Sequence, residues 1–209
     1  HTQFDTVYHE HFSYLSLHTA SRIFEAAGLR VLDVEELTTH GGSLRIHGCH
    51  ADDPRATTGA VEELLASERA AGLLELSAYQ GFQARADKVK DDLLHFLIEQ
   101  KRAGKTVAAY GAAAKGNTLL NHAGIKPDLL PFVCDAAPAK QGKFMPGSHI
   151  PILPPSALRI HKPDFVLILP WNIADEVSAQ HGYVHEWCAQ YVVAVPQLAV
   201  TLGNHRTDG

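Results

Sequence analysis

Tyr8-His-Glu-His11 sets a phenol, two imidazoles and a carboxylate on consecutive positions near the start of a 209-residue chain. Three kinds of chemistry fit that run. As a solvated segment leading into a helix, it places Glu10 near a positive helix end. As a metal site, it offers His9 and His11, two apart and so on one side of an extended backbone. As a proton-transfer site, it offers one imidazole of near-neutral pKa as general base, Glu10 to fix its tautomer, and Tyr8 to donate to a developing oxyanion. Strand alternation would turn Tyr8 and Glu10 away from His11, so the third reading requires a turn within these four residues.

A second group is Gly111-Ala-Ala-Ala-Lys-Gly-Asn117, read as a tight turn up to Gly116 between a strand and a helix starting at Asn117. Unpaired amides and the helix dipole at such a place favour an anion, and Lys115 adds a charge. The order of residues is neither a P-loop nor G-x-G-x-x-G, although Asp135 at the end of the next strand stands where a ribose-binding acid would. The alternative is that small residues simply allow close packing. His40-Gly-Gly-Ser43, Lys140-Gln-Gly-Lys143 and Pro170-Trp-Asn172 are further polar loops. The last two follow strand candidates, where open parallel sheets collect ligands. Taken one at a time, Lys140 and Lys143 read as solvated and Trp171 as a packing residue.

The elements that must position these residues differ along the chain. Residues 15–27 have helical apolar spacing ended by Gly28, and residues 29–34 and 43–47 read as two strands. Asp52-Asp-Pro54 and Thr57-Thr-Gly59 form a breaker-rich hinge, and residues 61–103 form two helices or one that bends. Beyond Gly104 the chain alternates strand candidates at 106–110, 130–134, 164–169 and 191–195 with helices starting near Asn117 and Ile173. Near-continuous apolar strands belong to a parallel sheet covered on both faces, so the C-terminal half is expected to be a doubly wound α/β unit.

Composition narrows the function classes. Hydrophobic residues make up 45% and charged residues 20%, an ordinary globular balance. The formal net charge of −5, with no basic stripe, argues against nucleic acid as a partner. Cys49, Cys134 and Cys188 are widely spaced and odd in number, which predicts free thiols, no structural metal and a cytoplasmic setting. No run approaches the about 18 apolar residues of a membrane span. The polar start, without Met, is read as the interior of a longer protein.

Six segments together carry a resemblance: residues 4–14 around Tyr-His-Glu-His, Thr39-His-Gly-Gly-Ser43, residues 110–118, Lys140-Gln-Gly-Lys143, His149-Ile-Pro151 and residues 167–172. In that order they resemble the C-terminal portion of the S-adenosylmethionine-dependent C-methyltransferases acting on nucleotide-linked keto sugars in deoxysugar biosynthesis. The resemblance implies that residues 1–50 close an S-adenosylmethionine methyltransferase domain with a helix and strand pair. It makes residues 51–103 a helical linker and residues 104–209 a Rossmann-like, sugar-nucleotide-binding domain. It further implies that S-adenosylmethionine is held mainly by a region outside this chain, which also contains a zinc-binding N-terminal domain.

The reaction so implied starts with loss of a proton from the carbon beside a sugar ketone. The resulting enolate then attacks the sulfonium methyl. His11 matches the family's base, with Glu10 and Tyr8 as neighbours. Lys115, Gly116 and Asn117 on the turn, with Lys143, Asn172 and Ser43, are the expected substrate-binding residues. Two other functions stay open: a nucleotide-sugar-binding module without activity, and an NAD-dependent oxidoreductase domain using the Gly111 turn. The latter predicts quenching of tryptophan fluorescence by NADH, which the methyltransferase reading does not.

Overall fold

Ser16 opens the first helix, α1 (Leu17–Ala26), by accepting a hydrogen bond from the Thr19 amide. A stronger cap comes from far away in sequence: the buried Glu68 carboxylate accepts from the Leu17 and His18 amides at 2.6 and 2.9 Å. It satisfies two of the amides that a helix start leaves unpaired and sets a negative charge on the positive end of the dipole. Gly28, at φ 71°, ends the helix, and β1 (Leu29–Leu37) runs antiparallel to β2 (Ser43–His50). The helices α2 (Gly59–Ala70) and α3 (Ser77–Gln80) follow. Leu17, Val31, Val34 and Val61 form the small core here.

The computed structural model describes residues 3–201; residues 1–2 and 202–209, which fall in the first and third expected segments, lie outside the described residues. The chain divides into two units, His11–Phe82 as above, and a larger one made of His1–Glu10 with Gln83–Gly209.

In the larger unit a long helix, α4 (Phe82–Arg102), buries Ala86, Val89, Leu93, Phe96 and Leu97. These lie at three- and four-residue steps, the apolar stripe read from the sequence. The rest of the unit runs β3 (Val107–Tyr110), α5 (Ala114–His122), β4 (Val133–Cys134), β5 (Ile152–Leu153), α6 (Ser156–His161), β6 (Phe165–Ile168), α7 (Ala174–Gln180), β7 (Gln190–Val193) and β8 (Ala199–Thr201). Their six-stranded sheet has the order β5-β4-β3-β6-β7-β8, parallel except for β8.

Successive residues of each strand serve different cores. Val107, Ala109, Val133, Leu167 and Val192 pack with α4 and α5, while Ala108, Tyr110, Cys134, Val166, Ile168 and Tyr191 pack with α6 and α7. This is the expected α/β, doubly wound arrangement. Burial pushes the Cys134 thiol up to about 12, consistent with an inert core residue.

Several boundaries differ from the sequence reading. The helix after β3 begins at Ala114, so Gly116 lies inside its first turn rather than ending a loop. An added Cβ at Gly116 would stand 2.8 Å from Leu169 Cβ, which explains a glycine in a helix. The expected strand at 130–134 pairs only at Val133 and Cys134. Beyond it, residues 135–151 replace the usual crossover helix, and the short β5 after them was not anticipated.

One buried imidazole gives the fold a pH signature. His181 is 5% exposed, lies tilted with its ring centre 4.4 Å from that of Tyr110 and meets the Tyr183 hydroxyl at 3.2 Å through Nδ1, and burial lowers its pKa. The unfolded chain therefore takes up this proton first, near about pH 6.5. The stability due to neutral His181 is complete above that pH and is lost as pH falls below it. Urea midpoints at pH 7.5 and pH 5 should fall more for the wild-type chain than for His181→Gln; equal falls would contradict this assignment.

Candidate active site

The connections after β3 and β6, neighbours at the centre of the sheet, leave for opposite faces, which makes the carboxyl end between them the topological switch point. Here that point is packed shut. Gly111 has φ 97°, and a Cβ there would come within 2.4 Å of Pro170 Cδ. Lys115 reaches across to Asn172, donating from Nζ to Oδ1 at 3.3 Å, and its ammonium lies 4.9 Å from the centre of the Trp171 ring. Partial burial lowers the Lys115 pKa, an effect opposed by the Asp5 charge.

Asp5 explains how the N-terminal stretch is held. Its short 3-10 turn, Phe4–Thr6, buries Phe4 against the His122 ring and Asp5 at 1% exposure. The Trp171 indole donates from Nε1 to Asp5 Oδ2 at 2.7 Å, a contact across most of the chain. Burial raises the Asp5 pKa, tempered by the Trp171 hydrogen bond and by Lys115. Trp171 is thus a donor as well as the packing residue the sequence suggested.

Beside the switch point, over the β4 and β5 edge, a cavity of about 550 Å³ opens. One wall is the β3 to α5 turn with Ala112, Ala113, Ala114, Asn117 and Thr118; the other is the 135–151 segment with Lys140, Lys143, Phe144, Met145 and Pro146. Tyr8 and His9 complete the lining. Ala113 gives α5 no side-chain cap, so the positive helix end faces this space, and Asn117 Oδ1 is a buried acceptor for which no partner is present. An anionic group with a nearby hydrogen-bond donor suits such a lining.

The structure brings together some of the sequence-predicted residues and separates others. Tyr8, Asn117 and Lys143 line the cavity. Lys115 and Asn172 pair with each other at the switch point, and Gly116 is buried against Leu169. Ser43 belongs to the smaller unit, where it lines a separate cavity of about 450 Å³ with Leu15, Glu36 and Leu37, and its hydroxyl donates to the Thr39 carbonyl at 3.0 Å. Residues 9 and 10 form a turn. His9 and Glu10 are exposed and 3.9 Å apart. His11 is exposed too, with its ring centre 6.3 Å from that of Tyr14.

Among the described residues the metal-compatible cluster is not at His9 and His11 but at Asp33, Glu35 and His47. There Glu35 already pairs across the strands with Arg45 and His47, each at 2.9 Å, and Asp33 accepts from the Thr58 hydroxyl at the start of α2.

Asp135 and Lys140 escaped the sequence reading as a pair. Asp135 Oδ2 accepts from the Ala112 amide at 2.8 Å and from Lys140 Nζ at 3.0 Å, and Oδ1 accepts from the Ala137 amide at 2.8 Å. The carboxylate that a dinucleotide would need for its ribose is therefore engaged within the protein.

A family model described as the C-methyltransferase C-terminal domain matches residues 38–196. The chain is 39% identical over 198 residues to the C-methyltransferase NovU of Streptomyces niveus, an alignment covering 95% of this chain and 47% of that protein. The chain thus spans about half the length of the curated relative it matches. No helix among the described residues is long and apolar enough to cross a membrane.

The Asp5 and Trp171 contact carries a direct test. Trp171→Phe keeps an aromatic ring but leaves a buried carboxylate without its donor, which should cost about 1–3 kcal/mol. A urea midpoint unchanged from wild type would show that the indole merely packs.

Proposed function

Since the chain belongs to the C-methyltransferase C-terminal domain family, we propose that it forms the C-terminal part of an enzyme that methylates a carbon of a nucleotide-linked keto sugar, with S-adenosylmethionine as methyl donor. The observation that carries the substrate half of this reading is the cavity of the larger unit. It joins an uncapped helix start, Lys140, Lys143 and Asn117 in one lining with Tyr8 and His9. A nucleoside diphosphate supplies the matching anion, and its base or sugar supplies donors for Asn117.

His11 is the base that takes the proton from the carbon next to the ketone, and Glu10 orients its imidazole. A neutral imidazole is far too weak to do this to an unassisted C–H bond, so a donor must hold the charge that gathers on the carbonyl oxygen. Tyr8 is that donor. Asn117 and Lys143 line the cavity and hold the sugar nucleotide, with the amides at the start of α5 acting through the helix end; Lys115, Gly116 and Asn172 brace that wall from the switch point, and Ser43 is offered as a further substrate contact. The methyl donor brings an electrophilic carbon that needs alignment rather than further activation.

We place the donor's binding region mainly outside this chain, a reading supported by Asp135, which is engaged within the protein and not open to a ribose diol. The proposed domain plan fits that placement. In the described residues β1 and β2 pair only with each other, and a two-stranded sheet of this length has edges suited to cover by a neighbouring sheet. Residues 1–50 would then complete the donor-binding domain, with 51–103 linking to the sugar-nucleotide domain at 104–209.

In the full-length enzyme, His11→Ala should abolish methyl transfer while leaving adenosylmethionine affinity unchanged. Retained turnover would remove His11 from the role of base.

A further inference from the structure

The cavity's two walls meet at one carboxylate. Asp135 follows β4, and its side chain holds Ala112 on the first wall and Ala137 and Lys140 on the second, while its own carbonyl accepts from Gln141 Nε2 at 2.9 Å. The second wall is also fastened to β5: the Gly142 amide donates to the Ile152 carbonyl, and the Ile152 amide to the Lys143 carbonyl, at 2.9 and 2.8 Å. Lys140 therefore sits on a fixed backbone and has its ammonium held by a carboxylate that is itself fixed.

We infer that Lys140 is a cationic contact for the diphosphate in this cavity and that Asp135 is the residue that positions it. This rests on the sugar-nucleotide reading above. Lys115, the charge that the sequence put first, is turned to Asn172 and Trp171 and does not line the cavity, whereas Lys140 does. The Lys140 side chain is 41% exposed, and the contact with Asp135 uses one of its three N–H donors, leaving two for a ligand. Asp135 keeps two backbone donors whether or not Lys140 leans toward a phosphate, so drawing the ammonium forward strands no buried charge. A free lysine would lose side-chain entropy on binding; one already held loses less.

The geometry also gives Asp135 a different part from the one its sequence position suggests. Instead of receiving a ribose hydroxyl, it presents a cation. The site is thereby tuned to a phosphate group rather than to the diol of a nucleoside.

The test is calorimetric titration of the chain with thymidine diphosphate and uridine diphosphate, with the parent nucleosides as controls. The wild-type chain should bind at least one diphosphate. Lys140→Met should weaken that binding about tenfold or more, the loss of one charge-assisted contact, and Lys140→Arg should restore most of it. Nucleoside binding should not differ among the three. Asp135→Asn should lower diphosphate affinity several-fold in the Lys140 chain and leave it unchanged in the Lys140→Met chain, because it acts through that ammonium.

Equal diphosphate affinity for wild type and Lys140→Met would overturn the contact while leaving the sugar-nucleotide reading intact. A like effect of Asp135→Asn in both backgrounds, or a gain in affinity, would remove Asp135 as the positioning residue. Failure of the wild-type chain to bind either diphosphate would overturn the sugar-nucleotide reading, and the inference with it.

Discussion

A parallel sheet must be covered on both faces, and in the larger unit that single constraint decides where chemistry can occur. Strands such as Ala108 to Tyr110 bury every side chain, alternating between the α4 and α5 side and the α6 and α7 side. The faces are then spent on packing, and only the strand ends remain for polar groups. At the carboxyl end the switch point is itself filled by Gly111 on Pro170 and by Lys115 on Asn172. The open cavity lies to the side, over the β4 and β5 edge, where a loop stands in place of a crossover helix.

That displacement links the fold to the proposed chemistry. A crossover helix after β4 would have covered the edge, whereas the 135–151 segment leaves a concave wall and delivers two lysines to it. Its shape depends on Asp135, which stands at the meeting of the two walls. The same economy appears in the smaller unit, where one Glu68 carboxylate closes the start of α1. In both units an acid from one element satisfies backbone amides of another, so each is at once a structural tie and a local charge.

Much of this was legible in the sequence, and what was not has common causes. The continuous apolar runs around Val166 and Val192 announced buried strands, and Val89, Leu93, Phe96 and Leu97 announced one helix face. Ile152 and Leu153 form only two residues of strand between Pro151 and Pro154, too little periodicity to read. The start of α5 was misplaced because glycine normally argues against helix, and only the distant Leu169 side chain explains Gly116. The Tyr-His-Glu-His run stood out by its residue types alone, yet the anchoring of the stretch just before it, Asp5 on Trp171, joins residues with no sequence relation. Lys140 was read as solvated because its partner is revealed only where β4 ends. Pairings made by tertiary structure leave no local pattern, so Glu68 was missed, and Asp135 was noticed only as a ribose-binding position and not as the partner of the Ala112 amide and Lys140.

Everything proposed for the larger unit depends on nucleotide phosphate being held at its edge cavity. Amide chemical-shift mapping during addition of thymidine or uridine diphosphate tests this most directly. The shifts should concentrate at residues 112–118 and 135–146. Shifts concentrated instead around Thr39 to Ile46 of the hairpin, or around Lys105 and Asp128, would contradict it.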